Sequence, residues 1–210
     1  MCVIIIKEKG VKLPSKKFLQ STFNANSHGA GYATDKGKFF KTLSFDVFYQ
    51  HFRNNVKKED ACIIHFRLAT HGSINPNNCH PFKGKVEGIG DVFFAHNGIL
   101  DIHSQDNKTD SELCFRNILI PVMTMFGYGK SLDIAIEGVI GSSKFCMVDG
   151  SGVVHRWGDW TNHNGLWLSN TRFLGWSHMF GNYGKSSYSR AYAYDEDEYD
   201  DFRGWLDSKK

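Results

Sequence analysis

Hydrophobic positions along this chain follow two periods. A short apolar run, Val3–Ile6, opens it and suits a buried strand, with Cys2 at its head. After Pro14, Phe18, Leu19 and Phe23 recur at helical spacing and predict a short helix; "GAGYAT" and "KFFKTL" then read as strands. The clearest amphipathic helix is "SFDVFYQHFRNNVKK", where Phe45, Phe48, Tyr49, Phe52 and Val56 share a face and Ser44 is placed to cap the start. The segment "ACIIHFRLAT" is a buried strand by its β-branched and apolar content.

Further on, "DVFFAHNGIL" reads as a strand running into an Asn-Gly turn. "TDSELCFRNILIPVMTMF" opens with Thr-x-x-Glu, a capping box. There Thr109 and Glu112 would cap the helix while Asp110 points away, and Pro121 is expected to interrupt it. "SLDIAIEGVI" predicts another helix, and "KFCMVDGSGVVHRWG" two strands around an Asp-Gly-Ser-Gly turn. Trp157, Trp160, Trp167, Trp176 and Phe173 are assigned to the core of a second sheet. No repeat is visible. Residues 1–182 form one domain, and residues 183–210, rich in Gly, Ser and Tyr and then acidic, read as a weakly ordered tail.

Composition narrows the class. With 210 residues, 41% hydrophobic and 22% charged, the chain suits one globular domain that needs no disulfide or metal staple. The opening apolar run is too short for a signal peptide and no stretch approaches a membrane span, so a cytoplasmic protein is expected, with no membrane partner. Five cysteines, an odd number without secreted-domain spacing, suggest free thiols. The net charge of +3 conceals an acidic end, seven acids against three bases from Asp195 to Lys210. No Lys/Arg cluster stands out on the mildly basic remainder, and nucleic acid is not an expected partner.

The polar positions supply the chemistry. If Met1 is removed, the α-amino group of Cys2 sits beside its own thiol and serves as the base that a cysteine nucleophile needs. Arg67, at a strand end, is suited to gripping a carboxylate through two parallel hydrogen bonds. Asn97 and the backbone N–H of Gly98 offer paired donors for an oxyanion. Asp110, in a first helical turn, could bind an ammonium group. A thiol with oxyanion donors, a guanidinium and a carboxylate together describe recognition of glutamine. The rival is zinc, since Cys62, His65, His71, Cys79 and His80 crowd together. Cys62 and His65, three apart on a strand, point to opposite faces and cannot clamp one ion, so neither metal nor cofactor is expected. His96, His155, His163 and His178 read as surface or packing residues.

The opening "MC", "HGAGYAT", "RLATHG", "CHPF", "HNGI" and "TDSE" resemble, in order and spacing, the class II glutamine amidotransferases, whose glutaminase domains are N-terminal nucleophile hydrolases. The resemblance implies an α+β fold, a four-layer αββα sandwich of two antiparallel sheets. It implies Cys2 as nucleophile, Asn97 and Gly98 as oxyanion hole, and Arg67, Thr70, His71 and Asp110 as glutamine-binding groups. Glutamine would be the substrate, and a separate synthetase or ligase subunit would use the ammonia, since family members usually carry an acceptor domain and this chain resembles a standalone glutaminase. Leu68 departs from the family, which often has Trp after the motif Arg, so the pocket wall differs. Two alternatives follow: hydrolysis of another γ-glutamyl amide by the same residues, or a non-catalytic scaffold or binding subunit with the same fold.

Overall fold

The computed structural model describes residues 2–69, 73–102 and 108–174. Thr70, His71, Trp176, His178 and the acidic tail lie outside the described residues.

Strand β1 (Val3–Lys7) is buried at every position, which requires cover on both faces. The packing supplies it. Val3 and Ile5 pack with the helices, and Ile4 and Ile6 pack toward the opposite sheet, as the two-residue period demands. The first sheet is completed by β2 (Ala30–Thr34), β3 (Phe39–Thr42), β4 (Cys62–Phe66), β9 (Thr161–His163) and β10 (Leu166–Leu168), in the order β3-β2-β4-β1-β10-β9. The second consists of β5 (Phe82–Val86), β6 (Gly90–Asn97), β7 (Lys144–Asp149) and β8 (Val154–Trp157), in chain order. Every pairing is antiparallel.

Three apolar clusters mark the contacts between layers. Helices α1 (Lys16–Ala25) and α2 (Phe45–Asn55) bury Leu19, Phe48 and Phe52 against Tyr32, Ile64 and Phe66 of the first sheet. Ile4, Ile6, Ile63, Phe93, Ala95 and Val148 fill the space between the sheets. Helices α3 (Asp110–Cys114), α4 (Ile120–Phe126) and α5 (Lys130–Ile140) bury Cys114, Met123, Leu132 and Ile136 on the far face of the second. The result is the αββα sandwich that the resemblance implies. Each fully buried Leu, Ile or Phe contributes roughly 1.5–3 kcal/mol, so these three seams hold the layers together.

Ser15 and Ser44 cap α1 and α2 by accepting from Phe18 N and Val47 N. Pro121 does not end its helix. Residues Phe115–Leu119 form a π turn in which Ile120 N–H reaches back to Phe115 O, and this wider turn carries the chain past a residue that has no N–H to give. The capping box is half made: Thr109 Oγ1 accepts from Glu112 N, but the Glu112 carboxylate pairs with Arg116. The aromatic residues do not form one second-sheet core either. Trp157 packs under the helices of the second sheet and Trp160 between the sheets. Trp167 lies in the first sheet beneath the Arg156 guanidinium, and Phe173 belongs to the α1 and α2 cluster. Strands β5, β9 and β10 were not legible as strands, because β9 and β10 have three residues each and the buried positions of β5, Phe82, Gly84 and Val86, include a glycine between Lys83 and Lys85.

Candidate active site

Cys2 precedes a central strand, so it inherits the position of one sheet end, between the segment that follows β4 and the segment that follows β10. Leu68 N–H donates to Cys2 Sγ at 3.4 Å, and the thiol faces Leu68 O at 3.6 Å. Asn170 Nδ2 donates to Cys2 O at 2.6 Å. Cys2 is half-buried, whereas Cys62, Cys79, Cys114 and Cys146 are buried. Burial pushes the Cys2 thiol up, and the Leu68 amide and the Arg67 charge pull against it. Acting as a nucleophile, such a thiol would need a base to take its proton.

The segment after β4 is clamped through "HGAG". Arg67 N donates to Gly29 O at 2.8 Å, His28 N to Arg67 O at 2.9 Å, and Ala69 N to His28 Nδ1 at 2.9 Å. The last bond makes Nδ1 the acceptor and places the ring proton on Nε2. Arg67 is buried, and its Nη1 donates to Ser73 O at 2.9 Å. Thr70 and His71, the other expected glutamine-binding groups, lie outside the described residues.

Asn97 is the last residue of β6. Its Nδ2 lies 2.8 Å from Ser169 Oγ, and Ser169 Oγ accepts Ile4 N–H at 2.8 Å. This links the candidate oxyanion residue to the strand that carries Cys2. Gly98 has φ +152°, and a Cβ there would fall 2.0 Å from Ser143 Oγ, so only glycine fits. Asp110 holds the same turn: its Oδ2 accepts Leu100 N at 2.9 Å, and its Oδ1 accepts Ser111 N at 2.7 Å. Its carboxylate therefore turns back on its own helix start rather than pointing away. These bonds bring Cys2, Arg67, Asn97, Gly98 and Asp110 into one connected region.

Sequence reasoning missed two features. Ser169 and Asn170 stood in what read as a polar connection. His96 is packed against Phe145 and is also bonded: its Nδ1 lies 2.7 Å from Ser111 Oγ, which in turn bonds Asp110 Oδ1 at 3.1 Å. His65 Nε2 and His80 Nδ1 are 3.1 Å apart in the same interior, and the His80 and His96 rings are 6.3 Å apart. The signal available was a polar residue in each of three otherwise apolar stretches. Cys62 packs in the helix-side cluster, away from His65, so the opposite-face argument describes the geometry.

Residues 49–140 match the family described as "Glutamine amidotransferases class-II". No curated protein sequence matches the chain. Among solved structures, the allosteric regulatory enzyme of purine biosynthesis is similar over 70% of this chain and 35% of its own, at 21% identity and a TM-score of 0.46. Glutamine phosphoribosylpyrophosphate amidotransferase from B. subtilis, complexed with ADP and GMP, is similar over 80% and 41%, at 18% identity and a TM-score of 0.47. The chain thus spans well under half the length of either. Arg67, Asn97, Gly98 and Asp110 fall inside the stretch that is similar to class II glutamine amidotransferases.

Proposed function

We propose that the chain is a glutaminase of the amidotransferase type, releasing ammonia from the side-chain amide of glutamine for an acceptor on a separate partner. The observation that carries this reading is the placement of Cys2, a half-buried thiol joined through Leu68 to the Arg67 segment and through the Ser169–Asn170 pair to Asn97. With Met1 removed, Cys2 Sγ attacks the amide carbon and its α-amine takes the thiol proton. The C–N bond breaks as that proton passes to the leaving ammonia, which leaves a γ-glutamyl thioester. Water then adds to the thioester, glutamate departs and the thiol is restored. Asn97 and the Gly98 N–H would stabilise the oxyanion of both tetrahedral steps. Arg67, Thr70, His71 and Asp110 would hold the α-carboxylate and α-ammonium of glutamine.

The test is the intact mass before and after incubation with an electrophilic glutamine analogue. A chain that begins at Cys2 and gains one adduct, with glutamine blocking it, supports the reading. A retained Met1, or no adduct, favours the scaffold alternative or another γ-glutamyl substrate. Asn97→Ala should lower kcat about 10²–10³-fold with KM nearly unchanged, since the donor acts on charge that appears only in the transition state. A normal rate in that variant removes Asn97 from the oxyanion hole.

A further inference from the structure

The seam between β1 and β10 contains a polar knot that the reaction scheme leaves unused. Ser169 is 4% exposed, and its Oγ lies 2.8 Å from both Ile4 N and Asn97 Nδ2. A hydroxyl has one proton to give and two lone pairs to offer. Ile4 N–H can only donate, so it occupies one lone pair. With Nδ2 turned toward it, the hydroxyl accepts a second time and gives its proton to neither partner. Asn97 Oδ1 is then buried without a donor among the described residues, an arrangement proteins seldom keep.

A half-turn of the amide about its Cβ–Cγ bond lets the hydroxyl use its proton as well as a lone pair, and scarcely changes the side chain's shape. Ser169 then accepts from Ile4 and donates to Asn97 Oδ1. The NH2 group takes the place where Oδ1 had no donor, and it awaits an acceptor that none of the described residues supplies. A substrate carbonyl oxygen on its way to an oxyanion is such an acceptor.

We propose that Ser169 is a positioning residue that fixes the Asn97 amide with its NH2 end toward the substrate carbonyl. The inference rests on the glutaminase reading above. Ser169 acts only through Asn97 and touches no substrate. Its neighbour Asn170 holds Cys2 O at 2.6 Å, so two consecutive residues after β10 set the nucleophile's strand and the oxyanion donor relative to each other. Without the hydroxyl, both amide orientations become comparable, and in one of them a carbonyl oxygen faces the developing negative charge.

The experiment is a double-mutant cycle on glutamine hydrolysis by the processed full chain: parent, Ser169→Ala, Asn97→Ala and both together. Ser169→Ala should lower kcat about 10–50-fold with KM within about twofold, and should change kcat less than about twofold when Asn97 is already alanine. Loosening of the β1–β10 seam alone would instead lower kcat by the same factor in both backgrounds, and that result overturns the proposal, as does a parental rate in Ser169→Ala. Should alanine fail to fold, Ser169→Thr and Ser169→Val, nearly equal in shape, isolate the hydroxyl. Thr should hold kcat within about threefold of parent and Val should show the loss, whereas equal rates in the two overturn the proposal. A parent chain without Cys2-dependent turnover overturns the glutaminase reading and this inference with it; parental turnover that ignores Ser169 overturns this inference alone.

Discussion

Cys2→Ala is expected to lose at least about 10⁴-fold in glutamine hydrolysis, to take no adduct from the electrophilic analogue, and to melt within a few degrees of the parent. The loss is large because the remaining thiols offer no substitute. Cys62, Cys79, Cys114 and Cys146 are buried, and burial raises the pKa of each, that of Cys114 to about 12. The melting point should hold because the residue's firmest tie is through its backbone carbonyl, which accepts from Asn170 whatever the side chain. The sulfur makes only the longer contacts to Leu68, whose amide would lose one weak acceptor at a cost of roughly 1 kcal/mol. Ammonia release and thermal denaturation measure the two halves separately. Activity retained in Cys2→Ala would place the nucleophile elsewhere and end the mechanism proposed here.

How far this site could be read from sequence depends on the range of the contacts. Ser44 and the Phe45, Phe48 and Phe52 face of α2 are local features, and the helix forms where its pattern predicts. "HNG" and "TDSE" were legible as a turn and a helix start for the same reason. What joins them was not, because Asp110 reaches Leu100 across a segment whose length says nothing about its path. The link from Cys2 to Asn97 is more remote still. It runs through Ser169 and Asn170, more than 160 residues from Cys2, at the end of a three-residue strand too short to show a period. Pro121 misled for another reason: proline removes one donor, and a single π turn absorbs that loss without ending the helix. The tryptophans carried bulk but no direction, so nothing in their spacing divided Trp157 from Trp160 and Trp167 between two cores.

The interior histidines make stability depend on pH. His65, His80 and His96 are buried, and removal from water holds all three below the ordinary imidazole range, His65 at about 3, His96 at about 4 and His80 well below. The charges around them mostly reinforce this. Arg67 and Lys41 oppose protonation of His65 and His80, and the histidines oppose one another, while Asp110 alone favours a charged His96. The native state therefore keeps these rings neutral at a pH where the unfolded chain, titrating near 6.5, already binds protons. With more protons bound when unfolded, stability must fall as pH falls below about 6.5, and it should keep falling through pH 5 because native His65 and His96 do not titrate before about 4. His65 and His96 should each cost about 2 kcal/mol by pH 5, together a slope of about 2.5 kcal/mol per pH unit between pH 6 and 5, and His80 adds in the same direction. That loss is comparable to the whole stability of an ordinary domain. Urea denaturation at pH 7, 6, 5.5 and 5 measures the slope directly, above the range where carboxylates contribute most. A flat profile would mean that these rings are charged or wet in the folded protein, and that Asp110 is not held by a neutral His96–Ser111 pair.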